Sequence, residues 1–537
     1  MLKRYLPILC AISLSCGEPD PTSVSLQVYP AEGAMHDNVL VDNSASFMEL
    51  LLTGGPRPFV ERFSLTGSSG RLTDLPLGTG YQLTARGYQM NADGSSSLVF
   101  YGGTSRFDVT GDGLPPLSIQ VGRANCVAYN RPSIYRSLIG KADLVDKRVG
   151  FAVTKLPDGR VLITGGAELD ANGNIQSISD TVELYDPVQG QFISLLDASG
   201  IPVRMSQPRA FHTAVALTDG SVLLAGGQLT AAGDLSNSVS MFFPNGPIFE
   251  GPVSAPDFIA RKSHRARRLN DGSVLLAGGL DLNGQPLAST YRYFPADQSF
   301  RPQGDMATAR SGHSLNDIER GGELALVAGG YNGNGVQRTI EIFTTNANQA
   351  GCFGGLTPSA TTGCWISLGT ALELPTPVWG HSAVTVNNGS EVVVVGGYTS
   401  SDRTQVSQEV TVIPSSLSGT QSAGTLGVGG GDLAVAVTSN GQSPELVVAG
   451  GRQGDTPQQR FVRLVRSQVS DVVQYQQQEL APGCVQQGFP EARYGAEAIA
   501  LDNQTVLVIG GANRSVNGFS STRRAELFFP ANVPAGL

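Results

Sequence analysis

The feature that most constrains this chain is a motif that recurs seven times between residues 150 and 511. Each copy has an apolar stretch, a polar turn, a second apolar run and a Gly-Gly pair, as in FHTAVALTDGSVLLAGG at 211–227. The first glycine of each pair falls at residues 165, 226, 278, 329, 396, 450 and 510. Repeats at intervals of about 50 to 70 residues indicate that the chain folds as an array of similar structural units.

Each copy predicts two strands joined by a tight turn. Asp-Gly occupies that turn in three of the copies, beginning at Asp158, Asp219 and Asp271, and this pair suits a two-residue hairpin. The second strand is apolar without alternation, which predicts a strand covered on both faces by stacked sheets. A third strand such as SVSMFFP (238–244) and a weaker fourth such as CWISLG (364–369) follow. Four short strands per repeat are typical of a β-propeller blade.

The motif resembles the kelch repeat in three respects. These are the Gly-Gly pair, an aromatic residue and proline at the third strand, and an Arg-x-x-His at the first strand. The Arg and His pairs are Arg209/His212, Arg261/His264 and Arg310/His313. The resemblance covers roughly residues 148–537 and implies a seven-bladed propeller. It is incomplete, because the fourth-strand tryptophan occurs only at Trp365 and the first, sixth and seventh copies have no histidine.

The domain organisation follows from where the motif begins. Kelch propellers often close with a strand from the other end of the chain, and residues 123–147 are placed to complete the last blade. We therefore assign residues 123–537 to the propeller. Residues 25–122 have alternating segments between Gly-rich turns, which predict a small antiparallel, immunoglobulin-like β-sandwich. The predicted fold class is all-β, with residues 17–24 as a linker before the sandwich.

The N-terminus predicts export. Met1–Arg4 is basic, residues 5–14 are apolar but too few to span a bilayer, and Leu14-Ser15-Cys16-Gly17 follows. This arrangement resembles a bacterial lipoprotein signal over residues 1–16, with Cys16 as the lipidated residue. An ordinary signal peptide cleaved nearby is the alternative. The resemblance implies a lipid anchor in the cell envelope, with the outer membrane favoured and the protein facing the periplasm or the exterior.

Four cysteines remain after the signal and Cys16 are set aside. Disulfides are permitted in an exported chain. Cys352 and Cys364 lie in one Gly/Thr-rich insertion, and we expect them to pair locally. Cys126 would then pair with Cys484, and this bond would lock the closing strand of the propeller to its last blade.

Charge limits the classes of partner. The net charge is −9, which argues against a nucleic-acid binder. We expect a monomer whose partner is a protein or a glycan of the cell envelope.

Metal and cofactor chemistry finds little support. His212, His264, His313 and His381 occupy one repeat position, so we expect them to be structural. Copper radical oxidases similar to galactose oxidase use a related propeller, with a Tyr-His pair at a late blade. Here that position reads Arg493-Tyr494-Gly495, without histidine. We therefore predict no metal, no cofactor and no catalytic residue.

One repeat position is the candidate binding site. Arginine precedes or opens the first strand of several blades, and Trp379 stands at the corresponding position of another. In kelch propellers this position tends to lie at a mouth of the central channel, where guanidinium groups suit carboxylates. The residues are Arg209, Arg261, Arg310, Trp379 and Arg493. The alternative is that each arginine pairs with carboxylates or caps carbonyls inside its own blade.

The functional hypothesis is a non-enzymatic binding or scaffold module at the bacterial cell envelope. It would bind its partner through the loops or the channel mouth, because blades hold variable loops rigidly. The alternative is a secreted glycan-active or oxidase-type enzyme on the same scaffold, and the sequence leaves open whether any catalytic activity exists.

Overall fold

The structure is a computed structural model that describes residues 26–32, 45–54, 59–64, 75, 77–104, 106–110, 117–124, 126–132, 143–187, 190–255, 258–318, 324–348, 351–439, 443–469, 472–478 and 491–530. Over these ranges the secondary structure is strands and three short 3-10 turns, at Phe353–Gly355, Gly369–Ala371 and Asn387–Gly389. No helix there is long and apolar enough to cross a membrane. The predicted signal, Cys10, Cys16, the linker and Cys484 lie outside the described residues.

The strands are short and numerous. The N-terminal strands are β1 (Leu26–Glu32), β2 (Phe47–Thr53), β3 (Phe59–Ser64), β4 (Gly78–Met90), β5 (Ser96–Gly103), β6 (Phe107–Val109), β7 (Leu117–Arg123) and β8 (Cys126–Pro132). The next are β9 (Ala152–Lys155), β10 (Val161–Thr164), β11 (Ala167–Leu169), β12 (Ile175–Ile178), β13 (Val182–Asp186), β14 (Gln191–Ser194), β15 (Thr213–Ala216), β16 (Val222–Ala225), β17 (Ser238–Phe243), β18 (Ile248–Ser254), β19 (Arg265–Arg268), β20 (Val274–Ala277), β21 (Thr290–Phe294) and β22 (Ser299–Pro302). The last are β23 (Ser314–Asp317), β24 (Leu324–Ala328), β25 (Ile340–Thr344), β26 (Cys364–Ser367), β27 (Ser382–Val386), β28 (Glu391–Val395), β29 (Glu409–Pro414), β30 (Gln421–Thr425), β31 (Ala434–Ser439), β32 (Pro444–Ala449), β33 (Arg452–Gln453), β34 (Thr456–Pro457), β35 (Phe461–Val469), β36 (Val472–Gln478), β37 (Glu497–Ala500), β38 (Val506–Ile509), β39 (Ala512–Ser515), β40 (Gly518–Ser521) and β41 (Ala525–Phe529).

Six groups of four strands form separate antiparallel sheets, here called sheets 1 to 6. In order they are β9-β10-β13-β14, β15-β16-β17-β18, β19-β20-β21-β22, β23-β24-β25-β26, β27-β28-β29-β30 and β31-β32-β35-β36. The first two strands of each sheet are the pair that precedes a Gly-Gly motif. The prediction of an all-β chain built from four-stranded units is confirmed.

A further group, sheet 7, takes its fourth strand from far away in the sequence. β37, β38 and β41 pair in that order, and β41 then pairs antiparallel with β8, where Phe529 lies opposite Cys126. β8 lies inside the segment that the sequence places at the closure. It also pairs with β1, which joins sheet 7 to the N-terminal sheet β3-β2-β4-β5-β7-β1.

The sheets follow one another in a closed circuit. The first strands contact each other in the order β9, β15, β19, β23, β27, β31 and β37, and β37 contacts β9 again. The second glycine of each Gly-Gly pair also donates its N–H to a carbonyl of the following sheet. These bonds run from Gly166 to Arg209 (2.8 Å), Gly227 to Arg261 (2.8 Å), Gly279 to Arg310 (2.9 Å), Gly330 to Val378 (2.7 Å), Gly397 to Gly430 (2.8 Å), Gly451 to Arg493 (2.8 Å) and Gly511 to Arg148 (3.0 Å).

The Gly-Gly pairs are required by the backbone and by the close approach of the next sheet. At Gly329, for example, φ is +62° and a Cβ would lie 2.5 Å from the Val378 carbonyl oxygen of sheet 5. Apolar clusters fill the spaces between sheets, because the second strands are buried on both faces. The N-terminal sheet has its own cluster, which includes Leu50, Tyr81 and Phe100.

The N-terminal sheet lies against one end of sheet 7. The Tyr101 hydroxyl donates to the Asn503 carbonyl (2.5 Å), and the Asn503 amide donates to the Gly103 carbonyl (2.9 Å). Asn503 lies in the turn before β38, whereas Gly510-Gly511 follows that strand. The Gly-Gly end of the sheets, here called the mouth face, is therefore the end away from this contact.

Candidate functional site

The arginines at the predicted binding position are buried inside the sheets. Each has no exposed surface, and its Nη1 donates to the carbonyl of the first glycine in the Gly-Gly pair of the same sheet. These bonds join Arg148 to Gly165 (2.7 Å), Arg209 to Gly226 (2.7 Å), Arg261 to Gly278 (2.9 Å), Arg310 to Gly329 (2.7 Å) and Arg493 to Gly510 (3.3 Å). The guanidinium thus holds the glycine turn that carries the inter-sheet hydrogen bond.

The charge of these arginines is met within each sheet. Arg148, Arg310 and Arg493 pair with the buried carboxylates of Glu183, Glu341 and Glu526, respectively. Arg209 instead contacts serine hydroxyls, and Arg261 lies 4.9 Å from the Tyr291 ring centroid. Burial lowers the pKa of Arg209 and of Arg261 to about 10, so both stay charged near neutral pH.

This placement argues against ligand binding by Arg209, Arg261, Arg310 and Arg493. A guanidinium with no exposed surface cannot meet a carboxylate on a partner unless its sheet opens. The arrangement matches the alternative in which each arginine caps carbonyls and pairs with carboxylates inside its own sheet.

The repeated histidines are buried beside the same turns. The Nε2 atom of His212 lies 2.9 Å from the Thr164 hydroxyl, and that of His264 lies 2.9 Å from the Thr213 hydroxyl. Burial lowers the pKa of His212 and of His381 to about 3, so the rings are neutral near pH 7. Within the described residues, no three His, Cys, Asp or Glu side chains lie close enough together to hold a metal ion.

Trp379 differs from the arginines in place and in exposure. The carbonyl at the arginine position of sheet 5 belongs to Val378, so Trp379 is one residue further along. Its ring is half-buried on the mouth face, and its indole N–H donates to the Ser400 carbonyl (2.9 Å). Of the five predicted binding residues, Trp379 is the one whose side chain reaches the surface.

Trp379 is the centre of three neighbouring aromatic rings, here called the aromatic row. Its centroid lies 5.9 Å from that of Tyr331 on the sheet 4 side and 5.1 Å from that of Tyr398 in its own sheet. The exposed Arg403 guanidinium lies 5.2 Å from the Trp379 centroid. The row therefore offers a partly exposed aromatic surface with a cation beside it.

A hydrogen-bonded polar group, here called the polar triad, continues the row toward sheet 7. The Tyr398 hydroxyl donates to an Asp432 carboxylate oxygen (2.9 Å), and Arg452 Nε donates to the same oxygen (3.0 Å). Burial, reinforced by the charge of Asp432, raises the pKa of Tyr398, so its hydroxyl stays protonated. The Asp432 side chain remains 31% exposed, which leaves carboxylate surface for a further donor.

Backbone hydrogen bonds join successive sheets at the mouth face. Residues with positive φ on successive sheets bond to one another, as Gly380 N–H does to Gly312 O (2.8 Å) and Asp432 N–H to Gly380 O (2.8 Å). The side of the mouth formed by sheets 7, 1 and 2 is apolar, with Phe211 and Phe519 in one cluster. The mouth therefore has an aromatic, charged side and an apolar side.

The sequence reasoning missed Tyr331, Tyr398, Arg403, Asp432 and Arg452. A signal was present, because Tyr331, Tyr398 and Arg452 each follow a Gly-Gly pair directly. The other copies have Ala167, Gln228, Leu280 and Ala512 at that position. Large polar or aromatic side chains at three successive repeats mark one side of the mouth.

The disulfide predictions are settled in one case. Cys352 and Cys364 form a disulfide, as expected, at the start of β26. Cys126 is disulfide-bonded. Because Cys484 lies outside the described residues, the Cys126–Cys484 pairing stays a prediction.

Comparisons with known proteins show a likeness in fold. No protein-family model and no curated protein matches the chain. Among solved structures, that of YjhT aligns at 13% identity and a TM-score of 0.42, over 63% of this chain and 99% of YjhT. A fungal alcohol oxidase of the AA5 family, in complex with copper, aligns at 13% identity and a TM-score of 0.50, over 73% of this chain and 78% of the oxidase. The second likeness supports a related β-rich scaffold.

The residues at the late-sheet position do not suit copper. Tyr494 is followed by Gly495 where a Tyr-His pair would be needed, and the Arg452 guanidinium lies 4.0 Å from the Tyr494 ring centroid.

Proposed function

We propose that the chain is an exported binding module built on a seven-bladed kelch-type propeller, with an immunoglobulin-like sandwich at its N-terminal side. The circuit of seven four-stranded sheets and the strand β8 in sheet 7 support the propeller. The N-terminal sheet with its own apolar cluster supports a separate β-rich domain there. A lipid on Cys16 would hold the module, as a monomer, at the cell envelope.

We propose further that the module binds a glycan at the mouth face. The observation that carries this proposal is the aromatic row beside the polar triad. A sugar ring has an apolar C–H face, which an aromatic ring can cover, and hydroxyl groups around its edge, which need hydrogen-bond partners. Trp379 and Tyr331 supply the aromatic rings, and Asp432 and Arg452 supply the hydrogen-bond partners.

A glycan suits this surface better than a protein. Protein interfaces have a desolvated apolar centre and a polar rim. Here the half-exposed carboxylate of Asp432 lies next to the rings, and the cation Arg403 stands over one of them. Mixed stacking and hydrogen-bonding surfaces of this kind are what an oligosaccharide requires.

The test is binding of the purified protein to an array of neutral and acidic oligosaccharides. Trp379→Ala removes the central ring and should weaken binding by about tenfold or more, as loss of an aromatic anchor does. Phe294→Ala is the matched control, because Phe294 also has an arginine over its ring (Arg301, 4.4 Å) but lies on β21, outside the mouth.

The outcomes separate the candidate functions. Binding lost in the Trp379 variant and kept in the Phe294 variant supports the proposal. Binding that is equal in both variants, or absent on every array spot, contradicts it. Conversion of a bound sugar into a product would instead favour the enzyme alternative, for which the present support is likeness of fold.

A further inference from the structure

The cation beside the aromatic row has no acidic partner. The Arg403 side chain is exposed, and its guanidinium lies 5.2 Å from the Trp379 ring centroid. Other surface arginines pair with a carboxylate, as Arg338 does with Glu373 at 3.2 Å. Among the described residues, no carboxylate oxygen lies within 4.0 Å of the Arg403 guanidinium. Its N–H groups are therefore available to a ligand that reaches the mouth face.

The carboxylates on this side of the mouth face already have partners. Asp432 pairs with Arg452 at 3.0 Å. Asp455 pairs with Arg514 at 3.5 Å. Asp402 accepts a hydroxyl donor (2.6 Å) and a backbone N–H donor (3.1 Å) from its own loop. The charge of each acid is thus balanced or hydrogen-bonded locally, and the cation over the aromatic row is left to pair with an anion from outside.

The backbone holds Arg403 in a fixed position. Its φ is +66°, which is uncommon for a residue with a side chain. Its N–H donates to the Ser400 carbonyl (3.3 Å), and its carbonyl accepts from the Gly454 N–H (2.8 Å) in the turn between β33 and β34. Such a conformation persists where the surrounding structure fixes it, and it is common at ligand sites. A cation that is already in place loses little entropy when a ligand binds.

The contact with Trp379 leaves the donors of Arg403 usable. A guanidinium over an aromatic ring contacts it through its flat face, while its N–H groups lie in the plane and point outward. Two of these donors match the two oxygens of a carboxylate. A uronic acid carries its carboxylate directly on the sugar ring. Its ring can therefore cover the aromatic row while the carboxylate pairs with the guanidinium.

We propose that the glycan bound at the mouth face is acidic, and that the carboxylate of a uronic acid residue pairs with Arg403. This inference rests on the proposed glycan binding and names the class of glycan. The net charge of −9 repels an acidic ligand at long range, so a preference for the acid must come from this local cation.

The test compares matched acidic and neutral probes on the full protein by calorimetry. Trigalacturonate and tri-β-1,4-glucuronate are the acidic probes, and their methyl esters have the same rings without the charge. We expect each acid to bind at least about fivefold more tightly than its ester, as a charge-assisted hydrogen bond would give. The difference should shrink between about 50 mM and about 500 mM NaCl, because salt screens an exposed pair.

Two variants locate the preference. Arg403→Asn removes the cation, and asparagine tolerates the left-handed backbone at this position, so the preference for the acid should be lost. Arg514→Asn is the matched control. Arg514 is also an exposed arginine of the mouth face and lies 4.8 Å from the Phe519 ring centroid, but it already pairs with Asp455. This variant should keep the preference.

Four results would overturn the inference. They are equal affinity for each acid and its ester, a preference that Arg403→Asn leaves in place, no binding of either uronate at about 10 mM, and tighter binding of triglutamate, an acidic peptide, than of either uronate. The oligosaccharide array separates these failures from failure of the proposed function. Neutral glycans bound there through Trp379 would leave glycan binding standing, whereas an array without any bound glycan contradicts both.

Discussion

The buried Arg310–Glu341 pair allows the structural role of the repeated arginines to be measured. In Arg310→Ala the carbonyls of Gly329 and Thr339 lose their guanidinium donor, at 2.7 and 3.2 Å. The Glu341 carboxylate, 1% exposed, is left without its cation. Breaking one side of a buried ion pair costs about 3–5 kcal/mol, and we expect a loss of that size in the free energy of unfolding.

The assay is denaturant unfolding of three variants beside the parent protein. Arg301→Ala is the control, because Arg301 pairs with Asp297 on the surface, where the side chains are 40% and 48% exposed. We expect this control to lose less than about 1 kcal/mol. The double variant Arg310→Met/Glu341→Leu removes both charges and should recover part of the loss, since no charge is left buried and unpaired although the backbone groups that bonded to the pair lose their partners.

A small effect would refute this reasoning. If Arg310→Ala unfolds at the same denaturant concentration as Arg301→Ala, the guanidinium does not hold the Gly-Gly turn. If the variant is as stable as the parent but loses glycan binding, Arg310 is a binding residue after all.

Two further predictions concern Glu497 and the glycine turns. Partial loss of hydration raises the pKa of Glu497 on β37 from 4.5 to about 7, although its side chain keeps accessible surface, and Arg265 on β19 opposes the shift. Because the folded protein holds this proton more tightly than the unfolded chain, the contribution of Glu497 to stability is full below pH 4.5 and is lost as the pH rises through 7. Thermal melts should therefore show Glu497→Gln to be more stable than the parent at pH 8 and equal to it at pH 4. Parallel pH profiles of the two proteins would contradict this. Gly330→Ala should lower the free energy of unfolding by about 1–3 kcal/mol, because φ is +105° and the new Cβ would lie 3.0 Å from His313. In the same melts Gly335→Ala, whose Cβ would have no atom within 4 Å, should change stability little. Equal effects of the two variants would count against the argument.

Much of the fold could be predicted because its rules are local. Asp-Gly turns, uninterrupted apolar strands and Gly-Gly pairs recur in register, and they gave four-stranded sheets correctly. The glutamates that pair with the arginines were also visible, as Glu183, Glu341 and Glu526 recur in the third strands. Without that pairing, the sequence left open whether the arginines line a channel mouth or cap carbonyls inside their blades, because a charged side chain is rarely buried alone.

The mouth face was harder to predict because it joins residues from different repeats. Tyr331 and Trp379 lie 48 residues apart in the sequence. Asp432 and Arg452, which belong to another sheet, lie 20 residues apart in the sequence. No local sequence pattern links these residues, since their contacts depend on how neighbouring sheets pack against one another. Comparing the residues that directly follow each Gly-Gly pair would have identified this side of the mouth face.

The pairing of β8 with β41 also governs the order of folding. These strands are about 400 residues apart in the chain, so the last sheet cannot form until nearly all of the protein has been synthesised. Until then β8 presents an unpaired edge, which is a template for association with another chain. A chaperone that shields the edge of β8 until β41 arrives would therefore limit aggregation of the incomplete chain.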